Sequence, residues 1–231
     1  LTNFASATFG DGSVEEVQAT QIHRFALADG KAQYAGSGLV HGWILNPFSI
    51  SEYKGYLRVA TAYNREEFDS ATMLFTMPVA APPSEDVALS AEVPALQVVG
   101  QLTDIGFHQD TYGVRFAGDV AYIITFREFD PLHVIDLANN AAPIERGILE
   151  MPGYSSYLHP IEDGRLLGVG FVPEGDVKLS LFDVGNLDSP SIIEETLFGG
   201  AGASTEVVED HHAFRYLPDW DLMALPKVGR A

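Results

Sequence analysis

The sequence predicts an all-β fold, a β-propeller of four-stranded antiparallel blades, on three observations. Two stretches repeat the same order of apolar runs and turns, and Gly-Asp or Asp-Gly pairs stand where strands must reverse. In addition, 22 Gly and 13 Pro among 231 residues favour many short elements over a few long helices. We therefore expect about four blades in this chain.

The repeat is clearest in two runs that each end in Asp and are followed by Pro. Asp136 precedes Pro143 and Asp183 precedes Pro190 by the same spacing, and the second pair lies 47 positions after the first. Such an Asp accepts backbone N–H groups of the following turn, and the Pro suits the start of an outer strand. Each copy predicts four strands, at 112–117, 120–127, 132–137 and 144–150 in one and at 155–160, 165–171, 177–184 and 191–198 in the next.

A weaker copy precedes these two. Residues 48–53 and 55–62 predict its inner strands, and residues 96–102 predict its outer strand. Between them, residues 63–94 are interpreted as a long surface insertion around one strand at 72–79.

The two ends of the chain predict partial blades. A hairpin at 20–27 and 31–40 has the character of an outer pair, and residues 206–216 with 222–227 have that of an inner pair. Residues 1–14 have the composition of a linker or tail, which leaves 15–231 for the propeller domain. Either the ends join in one composite blade that closes a ring, or the chain is a segment of a larger ring.

Composition excludes several function classes. The 32 acidic and 13 basic residues give a formal net charge of −19, which repels nucleic acid and anionic membranes. No apolar run approaches the length of ~18 residues that spans a bilayer, so we expect no direct membrane insertion. The absence of Cys excludes disulfides and thiolate metal sites.

Candidate ligand-binding residues fall on the predicted inner strands, which line the central channel of a propeller. These residues are Arg115, His159, His211 and His212. Converging Arg and His side chains suit an anionic ligand, whereas His159, Asp210 and His211 together suit a divalent metal, either calcium or a transition metal. Because side chains alternate along a strand, only one of His211 and His212 is expected to point inward.

Two acidic groups raise the alternative of a calcium loop. Asp183, Asn186 and Asp188 have a spacing that suits a hard cation, but the matching residues in the other copy favour repeated turn chemistry. The second group, Asp130-Pro131 with Glu128 and Asp104, lacks the alternating pattern of an EF-hand and is interpreted as a solvated turn.

Three runs carry a resemblance to a known family: FREFDPLHVIDL, SSYLHP and EDHHAF. Together with the surrounding strands, over roughly residues 18–227, they resemble secreted bacterial and archaeal proteins with a C-terminal β-propeller domain, distantly related to WD40 repeats. The resemblance implies a secreted, periplasmic or cell-surface location and a propeller larger than this chain. It implies no particular chemistry.

Three functions therefore remain open. The first is a binding or interaction module that offers a channel mouth or blade loops to a protein or small-molecule ligand. The second is a metal-dependent hydrolase or oxidoreductase with a His-containing site at the propeller axis. The third is a structural subunit of an extracellular assembly. The sequence contains no GxSxG nucleophile elbow, which favours the first function over a serine hydrolase.

Overall fold

The computed structural model describes residues 3–8, 12, 14–28, 30–64, 70–79, 95–127, 130–173, 175–200 and 202–229. In these ranges the chain forms strands joined by turns and short 3-10 helices, as the sequence predicts for an all-β fold. No helix in these ranges has the length and apolar character needed to cross a membrane.

Among the described residues, the strands form five antiparallel sheets, each a meander in chain order. The first sheet holds β1 (Asn3–Thr8), β2 (Val14–Ala28) and β3 (Lys31–His41). The second holds β4 (Ile50–Tyr53), β5 (Tyr56–Asn64), β6 (Ser70–Pro78) and β7 (Gly100–Ile105). The third holds β8 (Asp110–Ala117), β9 (Val120–Phe126), β10 (Asp130–Asp136) and β11 (Ile144–Met151). The fourth holds β12 (Tyr154–Ile161), β13 (Arg165–Phe171), β14 (Val177–Asp183) and β15 (Ser191–Phe198), and the fifth holds β16 (Arg215–Leu217) and β17 (Leu222–Ala224).

The chain divides into two compact units. The first comprises Leu1–Gln109 with Leu137–Pro143, and the second comprises Asp110–Asp136 with Ile144–Ala231. The first unit has its own apolar core, to which β5 and β6 contribute most, including Val59, Met73 and Phe75.

The predicted insertion at 63–94 is corrected within the first unit. The strand expected there exists as β6, but it is the third strand of its sheet and is buried from Ser70 to Met77. Alternation is weak in this segment because both faces of β6 are covered, which gives a continuous apolar run. Residues 65–69 and 80–94 of the predicted insertion lie outside the described residues.

The N-terminal segment also differs from the prediction. Residues 1–14 were expected to form a linker, yet β1 pairs with β2 in register from Asn3↔Ala19 to Thr8↔Val14. Main-chain hydrogen bonds hold such a strand, and composition alone does not reveal them. The predicted hairpin of residues 20–27 and 31–40 is present as the longer pair β2 and β3.

The second unit contains the two near-copies as two four-stranded sheets, whose strand bounds agree with the prediction to within about two residues. Side chains on the facing sides of the two sheets form one core, in which Ile124, Leu132 and Val134 meet Leu166 and Phe182. The third and fourth sheets therefore pack face to face, as neighbouring propeller blades do.

Turns that follow the third strand of each copy repeat one set of hydrogen bonds. Asn139 Oδ1 accepts from the Ala141 amide at 3.1 Å, and Asn186 Oδ1 accepts from the Asp188 amide at 3.2 Å. These bonds confirm the interpretation of the acidic turn as repeated turn chemistry. Arg146 then joins the two copies, because its guanidinium binds Asp136 at 3.0 Å and Asp188 at 2.7 Å.

Outer strands approach the neighbouring turns so closely that only glycine fits. A Cβ atom at Gly147 would lie 2.3 Å from the Leu187 carbonyl oxygen. In the first unit, a Cβ atom at Gly100 would lie 2.1 Å from the Asn140 carbonyl oxygen. Gly100 and Gly147 are 47 positions apart, the spacing of the sequence repeat, so the close approach is itself repeated.

The last predicted strand pair is only partly present. Residues 206–216 were expected to form one strand, but 3-10 helices occupy Glu206–Val208 and His211–Ala213 before β16. Thr205 caps the first helix by accepting from the Val207 amide, and Asp210 caps the second by accepting from the His212 amide at 2.9 Å. These caps favour helical turns over an extended chain.

Candidate functional site

Arg115 and His159 occupy equivalent positions on the first strands of the third and fourth sheets. Arg115 on β8 lies opposite Tyr122, two residues after the β-bulge that precedes Gly113. His159 on β12 lies opposite Leu167, two residues after the β-bulge that precedes Tyr157. The matching registers confirm that the two sequence copies are structural repeats.

Aromatic rings surround His159. The Tyr157 hydroxyl lies 3.2 Å from His159 Nδ1, and the His159 ring centroid lies 4.9 Å from that of Phe214 and 5.6 Å from that of Tyr216. Phe214 is also 5.1 Å from Tyr157, measured between ring centroids. Tyr157, His159, Phe214 and Tyr216 thus form one cluster, to which both the fourth and the fifth sheets contribute.

The positive charge of Arg115 acts on this cluster. Burial lowers the pKa of the half-buried His159 imidazole below its ordinary 6.5, and the Arg115 guanidinium lowers it further. Burial also lowers the pKa of Arg115 itself, while the nearby Tyr157 phenol acts in the opposite direction. Burial raises the pKa of Tyr157, which keeps the phenol neutral at pH 7 and able to donate a hydrogen bond. We call Arg115, Tyr157 and His159 the inner-strand cluster.

The other candidate residues, Asp210, His211 and His212, lie at a short 3-10 helix and not on a strand. Asp210 caps a 3-10 helix, so one of its oxygens already accepts a backbone N–H. His211 and His212 lie on that helix, with their ring centroids 4.4 Å apart. The expected strand alternation, which would have sent the two rings to opposite faces, is therefore wrong at this position.

The positions of these residues also bear on the predicted metal centre. Across the part of the chain that the structure describes, no group of three or more His, Asp or Glu side chains is arranged to hold a metal ion. In addition, the Arg115 charge that lowers the pKa of His159 also opposes a cation at its imidazole. The set His159, Asp210 and His211 does not fit a metal centre in this arrangement.

A cleft of about 490 Å³ opens beside the inner-strand cluster, between the fourth sheet and the pair β16–β17. Leu167, Leu179 and Leu181 form its apolar wall on the fourth sheet, and Tyr216 and Met223 face them from the fifth. The remaining lining residues are Ile161, Arg165, Glu194, Thr196 and Asp221.

Sequence reasoning identified Arg115 and His159 but missed their aromatic neighbours. Tyr157 and His159 share a face of β12, and Phe214 and Tyr216 are likewise two residues apart. This period of two was a readable signal. The prediction relied on the histidines of the EDHHAF run, but Phe214 is the residue of that run whose ring packs against His159.

Comparisons with known proteins agree with this architecture. The chain is 40% identical over 199 residues to an uncharacterized protein of Archaeoglobus fulgidus, and the match covers 86% of this chain and 28% of the relative. It is 36% identical over 218 residues to an uncharacterized protein of Methanocaldococcus jannaschii, and that match covers 94% of this chain and 32% of the relative. The chain thus spans less than a third of the length of these curated relatives. The model of a family described as beta propeller domain matches residues 6–230, and the chain belongs to that family.

Proposed function

We propose that this β-propeller domain is a binding module that holds the anionic group of a small molecule, a phosphate, sulfate or carboxylate, at its inner-strand cluster. The observation that carries the proposal is the placement of a half-buried guanidinium beside a phenol and an imidazole, on equivalent positions of two neighbouring sheets. The guanidinium can donate hydrogen bonds to an anion, and the hydrogen-bonded pair of Tyr157 and His159 has one further O–H or N–H to donate while the imidazole is neutral.

Electrostatics support an anion over a cation. Burial lowers the pKa of Arg115, because its positive charge has lost part of its solvation. A guanidinium can form charge-assisted hydrogen bonds with an anion. The net charge of −19 repels anions at long range, so the attraction must come from the local charge of the Arg115 guanidinium.

The apolar surface beside the cluster indicates how the rest of the ligand is held. Phe214 and Tyr157 are only 8% and 7% exposed, so their rings position His159 and offer little surface to a ligand. The open apolar surface is the cleft, whose lining includes Leu167, Tyr216 and Met223. Binding sites for small molecules commonly combine such surfaces with a few polar groups. We infer that the ligand carries an apolar or aromatic body next to its anionic group.

Isothermal titration calorimetry with inorganic phosphate, sulfate and citrate tests the proposal. We expect binding of at least one of these anions, and we expect Arg115→Met to weaken it roughly 10–100-fold because a charged hydrogen-bond donor is lost. Arg215→Met is the control, because Arg215 is an exposed arginine on the neighbouring strand β16. No binding of any of the three anions, or equal binding by Arg115→Met and the wild type, would contradict the proposal.

For location, we propose export from the cytoplasm. The family resemblance and the acidic composition support this proposal. Fractionation of native cells with an antibody against the domain checks it, and recovery in the cytoplasm would contradict it.

A further inference from the structure

A carboxyl and an amine are buried between the third and fourth sheets. Asp130 at the start of β10 is 0% exposed, and Lys178 on β14 is 1% exposed. Strand alternation puts Asp130 on the same face of β10 as Leu132, and it puts Lys178 on the same face of β14 as Phe182. Because Leu132 and Phe182 belong to one core, Asp130 and Lys178 both lie in the layer between the two sheets.

The Lys178 side chain reaches the third sheet beside Asp130. Its Nζ donates a hydrogen bond to the carbonyl oxygen of Pro152. Pro152 directly follows Met151, which is the residue opposite Asp130 in the register of β10 and β11. Burial raises the pKa of the Asp130 carboxyl to about 7, while the charge of Lys178 acts in the opposite direction. A large share of this carboxyl is therefore protonated at pH 7, and a protonated carboxyl is open to attack by an amine.

Neither the hydrogen bonds of the fold nor the sequence repeat accounts for this carboxyl. Among the described residues, no group donates a hydrogen bond to either oxygen of Asp130. Buried polar groups are normally hydrogen-bonded, so such a carboxyl calls for an explanation. In the other copy of the repeat, Val177 stands in the place of Asp130 and Pro131 in that of Lys178. The acid and the amine are thus particular to this one interface.

Glu195 on β15 adds a carboxylate that can accept a proton from the amine. Its Oε1 lies 3.4 Å from Lys178 Nζ, and the Ser180 hydroxyl donates to the same oxygen at 3.0 Å. An ammonium group must lose a proton before its nitrogen can attack a carboxyl, and a neighbouring carboxylate can act as the base. The Glu195 side chain is 29% exposed, so a proton that it takes from Lys178 can pass to solvent.

We propose that the Lys178 amine and the Asp130 carboxyl condense after folding to an amide bond that links the third and fourth sheets covalently. Glu195 takes one proton from the Lys178 ammonium and releases it to solvent. Nζ then leaves the Pro152 carbonyl oxygen and bonds to Cγ of the protonated Asp130 carboxyl. The bond from Cγ to the hydroxyl breaks, and a second proton from the nitrogen leaves with that hydroxyl as water.

The reaction consumes no other reactant, and the groups on the page supply every atom and proton. Freshly folded protein has both side chains free, as this structure does, and the link accumulates afterwards. The chain has no Cys, so the amide provides a covalent link between strands that a disulfide cannot provide here.

Mass spectrometry of the folded chain during incubation at pH 7 tests the proposal. We expect the intact mass to fall by that of one water molecule. Trypsin should then release residues 128–146 joined to residues 166–215 in one branched peptide, because it does not cleave after an acylated lysine. Lys178→Met should abolish the loss of water, whereas Lys31→Met, which removes an exposed lysine, is the matched control and should retain it.

Glu195→Gln keeps both linked residues and extends the test in case Lys178→Met fails to fold. We expect this variant to lose water roughly 100-fold more slowly than the wild type, because the base is missing. Absence of the branched peptide from the wild type would overturn the proposal. A loss of water confined to a single peptide would also overturn it, because a succinimide at a site such as Asp163-Gly164 would then be the product. Equal rates in Glu195→Gln and the wild type would contradict the role of Glu195.

Discussion

At the scale of single residues, Asp130 is a buried carboxylate at the start of β10. Its side chain is fully buried, and neither carboxylate oxygen accepts a hydrogen bond from any described residue. Burial raises its pKa from 3.8 to about 7, against which the charge of Lys178 acts in the opposite direction. Lys178 is itself buried, donates to the Pro152 carbonyl oxygen and lies 3.4 Å from Glu195.

The interpretation of Asp130 as part of a solvated turn is therefore wrong. The sequence shows Asp130 next to Pro131 and other polar residues, which is typical of an exposed turn. Its position at the start of β10, on the face that meets the fourth sheet, decides its burial instead. That contact joins residues far apart in sequence, and no local pattern reveals it.

Replacing Asp130 with Asn should reduce the loss of stability that accompanies rising pH. Because the pKa in the folded protein is above that of the unfolded chain, the folded state holds the proton more tightly. The contribution of Asp130 to stability is therefore greatest below about pH 4 and falls as the pH rises toward 7. Asp130→Asn should make the difference in unfolding free energy between pH 5 and pH 8 smaller by roughly 1–3 kcal/mol.

Urea unfolding at the two pH values checks this prediction. Asp163→Asn is the control, since Asp163 lies in an exposed turn with a φ of 62° that Asn also tolerates. If the unfolding free energies of Asp130→Asn and the wild type fall by the same amount between pH 5 and pH 8, the buried carboxylate does not control the pH dependence of stability.

His159 gives a second prediction at the residue scale, which concerns ligand affinity. Burial and Arg115 lower its pKa below 6.5, so its imidazole is mostly neutral at pH 7. An anion favours the protonated imidazole, so affinity for sulfate should rise as the pH falls toward the lowered pKa of His159. Titration calorimetry at pH 5 and pH 7.5 with sulfate, whose own charge is constant in this range, measures the effect. His159→Gln should abolish the pH dependence, and an unchanged dependence in that variant would exclude His159 as its origin.

At the scale of strands and turns, the sequence predicted the two full copies well for a physical reason. Strands of these copies are bounded by Gly-containing turns and by the Asp and Pro that end and begin neighbouring strands, so local chemistry fixes their limits. The segment 206–213 was predicted less well, because helix caps at Thr205 and Asp210 outweigh its apolar residues. These two caps were readable from the sequence as Thr and Asp before short runs.

The candidate site was predictable only in part, namely where the sequence repeat fixes positions on strands. The repeat placed Arg115 and His159 at comparable points, and the strand registers agree. The contacts of His159 with Phe214 and Tyr216 join segments far apart in the chain. Strand alternation predicts which side chains share a face, but it does not predict which ring lies opposite another.

Two leucines at equivalent positions of β10 and β14 provide a prediction at this scale. Leu132→Ala should lower the free energy of unfolding by about 2–5 kcal/mol, because Leu132 is fully enclosed between two sheets. Leu179→Ala should cost about 1 kcal/mol, because the leucine lies in the open cleft and loses less burial. Urea unfolding of both variants compares them, and equal losses would show that the two faces are equally covered.

At the scale of the whole chain, the propeller follows from repetition of one sheet and its contacts. A spacing of 47 residues separates the two Asp–Pro turns. The same spacing separates Gly100 and Gly147, where the absence of a side chain leaves room for the neighbouring turn. A sheet alone leaves its apolar faces uncovered, and stacking neighbouring copies against them buries them. The repeat length of 47 residues is therefore fixed by the contacts between neighbouring sheets as well as by the lengths of the strands.

A double-mutant cycle tests whether the third and fourth sheets pack face to face. Leu132→Ala, Phe182→Ala and the double variant are compared by urea unfolding, since both side chains are 0% exposed and belong to one core. We predict a coupling free energy of about 1–3 kcal/mol between the two positions. Strictly additive losses would mean that Leu132 and Phe182 do not share a core, which would contradict the stacking of the two sheets.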